Sequence, residues 1–428
     1  MNYFWLISFL GISTGVLISP VFLIVSLFCL LFLFKQIHIR VYAAFVIIGA
    51  LLAMTGISSK EVEIVGLVVN KKPSYVMVTN VKVYADNRWH FLNHQVKIRT
   101  KDLNTGEQVY AYGKLSSSFS YPRYTLEPIF CAGLTQSTRG FSRIISTVQR
   151  LKEESKKFIQ DTLGELGKIM NGLLFSEGEF DRSESTQLRQ SGLAHLFAVS
   201  GLHVGIIYAL SDIIISFFTY RFLLRRLIGC SIALIFALST GPTASAFRAA
   251  TMLIVWNFFK IIDYPIKPFN VLGLVGTVNL LIEPYSILSA SFLMSYSATG
   301  MILAVQEKIN KLSFLWKNLS VSTAAFIGVA PFLSIFSSLN LLTPLISAPA
   351  TFLVTPIIWI GFLSVILRIL DLHRMARVLL LGATPLVYLL EKITKFCSIF
   401  PNLSLGLTGY ILFSMLIFLL LWHLGHRP

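Results

Sequence analysis

Charged side chains are scarce in this sequence. They make up 13% of 428 residues, against 55% hydrophobic residues, and the mean hydropathy is +0.72. A soluble chain carries about a quarter charged residues, so an ordinary soluble enzyme is excluded. Cysteine is also rare. Cys29, Cys230 and Cys397 fall in or beside apolar runs, and Cys131 stands alone in a polar stretch. That leaves no disulfide framework and no cysteine zinc site. There is no GxxxxGK[ST] phosphate loop; Gly164-Glu-Leu-Gly167-Lys168 has the wrong spacing. There is no GxSxG elbow and no paired-carboxylate set, and no metal, no cofactor and no catalytic residue is expected. No basic region precedes the first apolar run, and Tyr3–Ser19 reads as a retained span rather than a cleaved leader.

What the chain has instead is apolar length. Runs able to span a bilayer, about 20 residues each, recur from end to end. The fold class expected is a polytopic α-helical membrane protein with an inserted small extracytoplasmic β-barrel, OB-like in character. Residues 1–59 read as N-terminal transmembrane helices, near 3–18, 21–34 and 41–57. Residues 60–135 alternate Val, Tyr and Lys with period two, as in EVEIVGLVVN and GEQVYAYGKL, broken by turn signals. Four to five short strands there suit an OB-like domain. Residues 136–190 read as amphipathic linker helices. Residues 191–428 are nearly all membrane, with spans near 193–218, 227–241, 244–260, 269–283, 286–304, 319–337, 346–367, 378–390 and 404–422. The 378–401 stretch is in part interfacial.

Short loops rich in Lys and Arg stay in the cytoplasm. One topology places Lys35/Arg40, Arg221/Arg225/Arg226, Lys260/Lys267, Lys308/Lys311/Lys317 and Arg368/Arg374/Arg377 all inside. It puts residues 60–190 outside the cell (inner) membrane, with the charge-poor turns near Gly241, Pro284 and Asn340.

Two constellations carry candidate chemistry. The barrel segment holds nine Lys/Arg against six Asp/Glu. Lys82, Arg88, Trp89, Tyr110, Tyr112 and Lys114 mix aromatics with cations, as single-strand binding requires. The competing reading is that the aromatics are ordinary strand residues and the lysines protect edges. The second constellation lies in the membrane. SGLAHLFAVSGLHVG (191–205) carries His195, Ser200, Gly201 and His203 around a helix break. STGPTASAFRAATM (239–252) has a Gly241-Pro242 break, caps at Thr243 or Ser245, and then Arg248 in an apolar helix. Arg248 either lines a wet anion path with a helix N-terminus or snorkels, pairing with Asp212 or Glu283. The histidines read as structural or path-lining rather than metal ligands. Ser200 with His203 has no orienting carboxylate nearby in sequence.

The residues then resemble a known family. GLLFSEGEFDRSESTQLRQSGLAHLFAVSGLHVG (172–205), STGPTASAFRAATM (239–252), SFLMSYSATGMI (291–302) and APFLSIFSSLNLLTPLISAP (330–349) are similar, in order, to segments of the ComEC competence proteins. The SYPRY linker (120–124) also sits where that family has it. The resemblance implies an inner-membrane channel taking up single-stranded DNA during natural transformation, not an enzyme. It implies as partners an extracytoplasmic DNA receptor and a cytoplasmic motor ATPase; the apolar spans imply the lipid bilayer, and a homo-oligomer stays open. Many such proteins end in a metallo-β-lactamase-like domain with an HxHxDH motif, which none of the eight histidines here forms. A short form of the family is expected, so nuclease activity is not assigned. Two other classes stay open: a secondary transporter of an anionic small molecule or lipid-linked precursor, and a membrane enzyme using Ser200 or His203.

Overall fold

A computed structural model describes residues 61–425, apart from 73, 86–87, 93, 101–102, 104–106, 118–121, 135–140, 241–243 and 337, with a few positions before residue 61. The three expected N-terminal spans and the Gly241-Pro242 break lie outside the described residues. The chain forms two compact units: residues 1–149 with 258–292, and residues 150–257 with 293–428.

The first unit contains a β-barrel. Its strands are β1 (Glu61–Lys72), β2 (Tyr75–Ala85), β3 (Arg88–Leu92), β4 (Val96–Ile98), β5 (Gln108–Ser117) and β6 (Tyr124–Leu134). The order β1-β5-β6-β4-β2 closes through a β1–β2 pairing, and β3 extends from β2 as a hairpin. β4 and β6 run parallel; the other pairs are antiparallel. This five-stranded ring is the OB-like architecture. Alternation builds it: Val62, Ile64, Val76, Val78, Val81, Val83, Val96, Ile98, Val109 and Leu126 fill the interior. β3 and β6 gave no clean alternation. β3 is exposed at four consecutive residues. β6 carries Pro128, which sits beside the register shift at Tyr112/Gly113, the irregular position a strand proline requires. A Cβ on Gly113 would come within 2.2 Å of the Glu127 carbonyl oxygen, so the strands close tightly there.

Helices follow: α1 (Phe141–Leu163), α2 (Leu166–Phe175), α3 (Arg182–Gln190), α4 (Ala194–Phe197), α5 (Gly201–Ser216), α6 (Phe222–Ser239), α7 (Ala244–Ile261), α8 (Pro268–Ile282), a 3-10 turn (Pro284–Leu288), α9 (Ala290–Ile309), α10 (Phe314–Phe336), α11 (Thr343–Ile369), α12 (His373–Gly382), α13 (Thr384–Cys397) and α14 (Gly406–Gly425). Segments Phe222–Ser239, Phe314–Ile335 and Thr343–Ile369 are long and apolar enough to cross a bilayer. Shorter apolar helices include Gly201–Ser216, Pro268–Ile282 and Gly406–Ile417. The protein is a polytopic helical membrane protein with an inserted barrel.

Within the first unit, Glu283 ties the barrel to the end of α8. Its carboxylate accepts from His94 Nδ1 at 3.1 Å and from the Gln95 backbone N–H at 2.6 Å. His94 is buried between the Tyr124 and Tyr285 rings, and Arg123 lies 4.5 Å over Tyr285.

The second unit is organised on one apolar cluster. Met170, Leu173, Leu193, Leu196, Val204, Ile207, Ala246, Ala250, Val354 and Ile357, all fully buried, bring α2, α4, α5, α7 and α11 together. Lys152 of α1 is nearly fully buried and pairs with Glu177 at 2.5 Å, while Lys156 reaches the same carboxylate at 2.9 Å. The linker's charges are therefore not all on a solvated face.

Candidate functional site

The expected span at 193–218 is two pieces. α4 ends at Phe197, Ala198 is extended (φ −93°, ψ 111°), and Ser200 caps α5 with φ −121° and ψ 178°. Ser200 and His203 form a capping box in which the imidazole takes the place of the usual Glu or Gln. His203 Nδ1 accepts from the Ser200 N–H at 3.3 Å and lies 3.1 Å from Ser200 Oγ. The tautomer protonated at Nε2 fits that pattern. His203 is fully buried, and its Nε2 has no hydrogen-bond partner among the described residues. A 3.1 Å Ser–His contact has the length of a nucleophile–base pair. Here the helix cap accounts for it, and no carboxylate pairs with the ring among the described residues.

His195 differs. Its Nδ1 lies 3.0 Å from the Gly192 carbonyl oxygen. The ring is exposed. Ala198 and Gly201 are exposed in the same stretch.

The other segments meet this break. A Cβ on Gly201 would touch the Ala249 Cβ at 3.2 Å, so the start of α5 abuts α7 beside Arg248. Arg248 is 3% exposed, and its guanidinium carbon lies 5.6 Å from the Tyr296 ring centroid of α9. Neither partner suggested by the sequence holds it: Asp212 grips Arg225 bidentately (3.1 and 2.7 Å), and Glu283 binds His94. Nor does it snorkel, since it is buried. The other side of the motif docks on the start of α11. Asn340 Nδ2 donates to the Gln190 carbonyl at 2.9 Å. Gly192, at φ +73°, lies where a Cβ would come within 2.3 Å of Thr343 Oγ1. Segments far apart in sequence thus converge on 190–203. Sequence reasoning missed Ala249, Tyr296, Asn340 and Thr343, although each stands inside a segment it had singled out.

On the barrel, register places five of the six singled-out residues, Lys82, Trp89, Tyr110, Tyr112 and Lys114, on one outer face, while Arg88, next to Trp89 on β3 and opposite Ala85, falls on the other. One row of partners runs Trp89–Tyr84–Glu63–Tyr112–Phe130 across β3, β2, β1, β5 and β6. The next runs Phe91–Lys82–Val65–Tyr110–Ala132, and Lys114 lies opposite Glu61. Trp89 packs on Tyr84 with ring centroids 5.3 Å apart. Lys82, Arg88 and Lys114 are exposed, while Tyr110 and Tyr112 are half-buried. The strands also bring carboxylates into this face. Tyr112 donates to Glu61 at 2.9 Å, which raises its phenol pKa. Burial and then Glu63 do the same for Tyr110. Both phenols therefore stay protonated donors. Among the described residues no group of three His, Cys, Asp or Glu could hold a metal ion.

Comparison with known proteins fits these segments. Residues 173–427 match the family model described as competence protein. "Recombination protein 2" of Haemophilus influenzae is 27% identical over 284 residues, 61% of this chain and 36% of its own length. An uncharacterized protein of Aquifex aeolicus is 32% identical over 224 residues, 48% of this chain and 52% of its own. One of Mycoplasma genitalium is 27% identical over 174 residues, 40% of this chain and 44% of its own. The matched part thus spans about half or less of each relative. No solved structure matches. Because the family model covers more than half of the chain, including the helix break and the Arg248 segment, this chain belongs to the competence-protein family.

Proposed function

We propose that the chain is the inner-membrane channel by which one DNA strand enters the cytoplasm during natural transformation. The observation that carries this reading is the meeting of an interrupted helix with a buried arginine. α5 begins at Gly201 against Ala249, next to Arg248. A guanidinium inside a bilayer costs about 2.5–3.5 kcal/mol or more unless it faces a partner or a wet path. A helix start adds unpaired N–H groups and positive potential. Phosphates pass such groups in turn, each held weakly enough to release. Gly201 gives close backbone approach, Ser200 and His203 fix the start of α5, and His195 stands exposed just before the break.

Residues 60–190 are extracytoplasmic in this reading, and the barrel presents its aromatic face to the incoming strand. Trp89, Tyr110 and Tyr112 supply stacking surfaces, with Lys82 and Lys114 beside them and Arg88 exposed on the same edge strand as Trp89. Glu61 and Glu63 repel phosphate from the centre of that face, so the backbone tracks along the cationic rim. A DNA receptor on the extracytoplasmic side and a motor ATPase inside are the partners this role needs.

Arg248→Ala should abolish DNA entry while leaving protein level and surface DNA binding intact. Arg248→Lys should keep part of it, because a point charge replaces a planar fork. Normal uptake by the alanine variant would remove Arg248 from the path. In a cysteine-free background, a cysteine at Arg88 should react with an impermeant thiol reagent in spheroplasts, and one at Arg225 should not. The reverse pattern refutes the orientation.

A further inference from the structure

The turn between α5 and α6 is the most exposed apolar surface beside an arginine cluster in the described chain. Phe217, Phe218 and Tyr220 are 80%, 84% and 95% exposed. Arg221, Arg225 and Arg226 follow within six residues.

The arginines are not equivalent. Arg225 is neutralised by Asp212 through two hydrogen bonds of 3.1 and 2.7 Å. Arg226 is held only by neutral groups. It donates to the Tyr208 hydroxyl at 2.6 Å, and its guanidinium carbon lies 4.9 Å over the Phe222 ring. Tyr208 in turn donates to Asn257 Oδ1 at 3.1 Å, and Asn257 is 2% exposed, with its amide bonded to the Leu253 carbonyl. The Tyr208 ring is fixed against Gly229, where a Cβ would come within 3.0 Å of Tyr208 Cε2. Arg226 is therefore oriented by three helices while its charge is uncompensated by any ion pair among the described residues. Arg221 is exposed beside it.

We propose that this turn is a binding site for anionic phospholipid, with Arg226 and Arg221 receiving the headgroup phosphate. The occupant follows from position and charge. α5 is apolar and α6 is long enough to span, so the turn joining them sits at the boundary between hydrocarbon and water. Aromatic side chains are enriched at that boundary, and solvent alone would leave Phe217 and Phe218 in water. A guanidinium fork with N–H groups left over after Tyr208 binds phosphate oxygens in a bidentate manner. Tyr208 and Asn257 act as positioning residues for that fork. The site stands apart from the Arg248 path and does not depend on DNA passage.

The test uses the full chain purified in mild detergent and reconstituted into nanodiscs of dioleoyl phosphatidylcholine, with or without 30% dioleoyl phosphatidylglycerol. Thermal unfolding and lipid retention by native mass spectrometry are the readouts. Phosphatidylglycerol should raise the melting temperature and be retained over phosphatidylcholine. Arg226→Gln should cut that retention about fivefold, the effect of one basic residue at a charged membrane surface. Tyr208→Phe should lower retention in the same direction while leaving the melting temperature in pure phosphatidylcholine near that of the wild type. Arg226→Lys should restore part of it. Equal behaviour in the two lipids, or full retention by Arg226→Gln, would overturn the proposal. So would reproduction of the whole effect by millimolar inorganic phosphate in pure phosphatidylcholine, which would mark a free-anion site. Lipid-independent capture of the cytoplasmic motor by the turn, with no phosphatidylglycerol effect, would show a protein-docking surface instead.

Discussion

Replacing Gly192 by alanine adds one methyl group at the point where the broken-helix motif meets α11. Two costs follow from the geometry. The residue sits at φ +73°, a left-handed conformation that costs an L-residue about 1–2 kcal/mol. The new Cβ would lie 2.3 Å from Thr343 Oγ1, 3.2 Å from Asn340 Cβ and 3.3 Å from Thr343 Cβ. Overpacking of that kind costs about 1–3 kcal/mol, toward the low end here because Thr343 can turn about χ1. The sum is about 2–4 kcal/mol. Thr343→Ala removes the nearest atom, so the double variant should regain about 1 kcal/mol and keep the backbone term. The assay is reversible unfolding by SDS in mixed micelles, with transformation frequency per unit of inserted protein as a second readout. A Gly192→Ala variant within 0.5 kcal/mol of wild type would refute the left-handed turn and the docking together. Strict additivity in the double variant would refute the Thr343 contact alone.

Glu177→Gln leaves the buried Lys152 ammonium unpaired and should destabilise by about 2–3 kcal/mol, below the usual figure for a buried pair because Glu177 is 43% exposed. Burial alone would raise the Glu177 carboxyl, but Lys152 and Lys156 outweigh it and hold its pKa below the usual range. Its contribution is therefore present above about pH 4.5 and lost as acid protonates it, and the glutamine variant should flatten that acid limb in an unfolding titration. Burial lowers Lys156 while Glu177 and Glu153 raise it further, so its contribution is present below its unfolded value and is lost only in strong alkali. Glu283→Ala should release the His94–Gln95 loop from α8, read as faster amide exchange at Gln95; unchanged exchange would show that the clasp is idle. His203→Asn, which keeps an acceptor for the Ser200 N–H, should retain more transformation than His203→Ala, and equal loss in both would refute the capping role.

The sequence by itself determined the elements. Period-two valines specify the barrel strands because alternate side chains must fall on opposite faces. Apolar length specifies the spans, and Ser200-Gly201 specifies the interruption, because a small residue and a capping hydroxyl favour a helix start there. β3 and β6 were illegible for local reasons: one is exposed on consecutive residues, and the other carries a proline at a bulge. Tertiary structure alone decided partnership. Which carboxylate holds which cation depends on contacts such as that of His94 with Glu283, 189 residues apart, and no local preference encodes such a distance. The same holds for Glu61 and Glu63. Their place among the barrel aromatics follows from strand register, which is set by turn geometry and by which side chains fill the core. Gly201 meets Ala249, and Gly192 meets Thr343, because close packing brings small residues together wherever helices must approach. Each motif was readable alone, but their convergence is a property of the packed core.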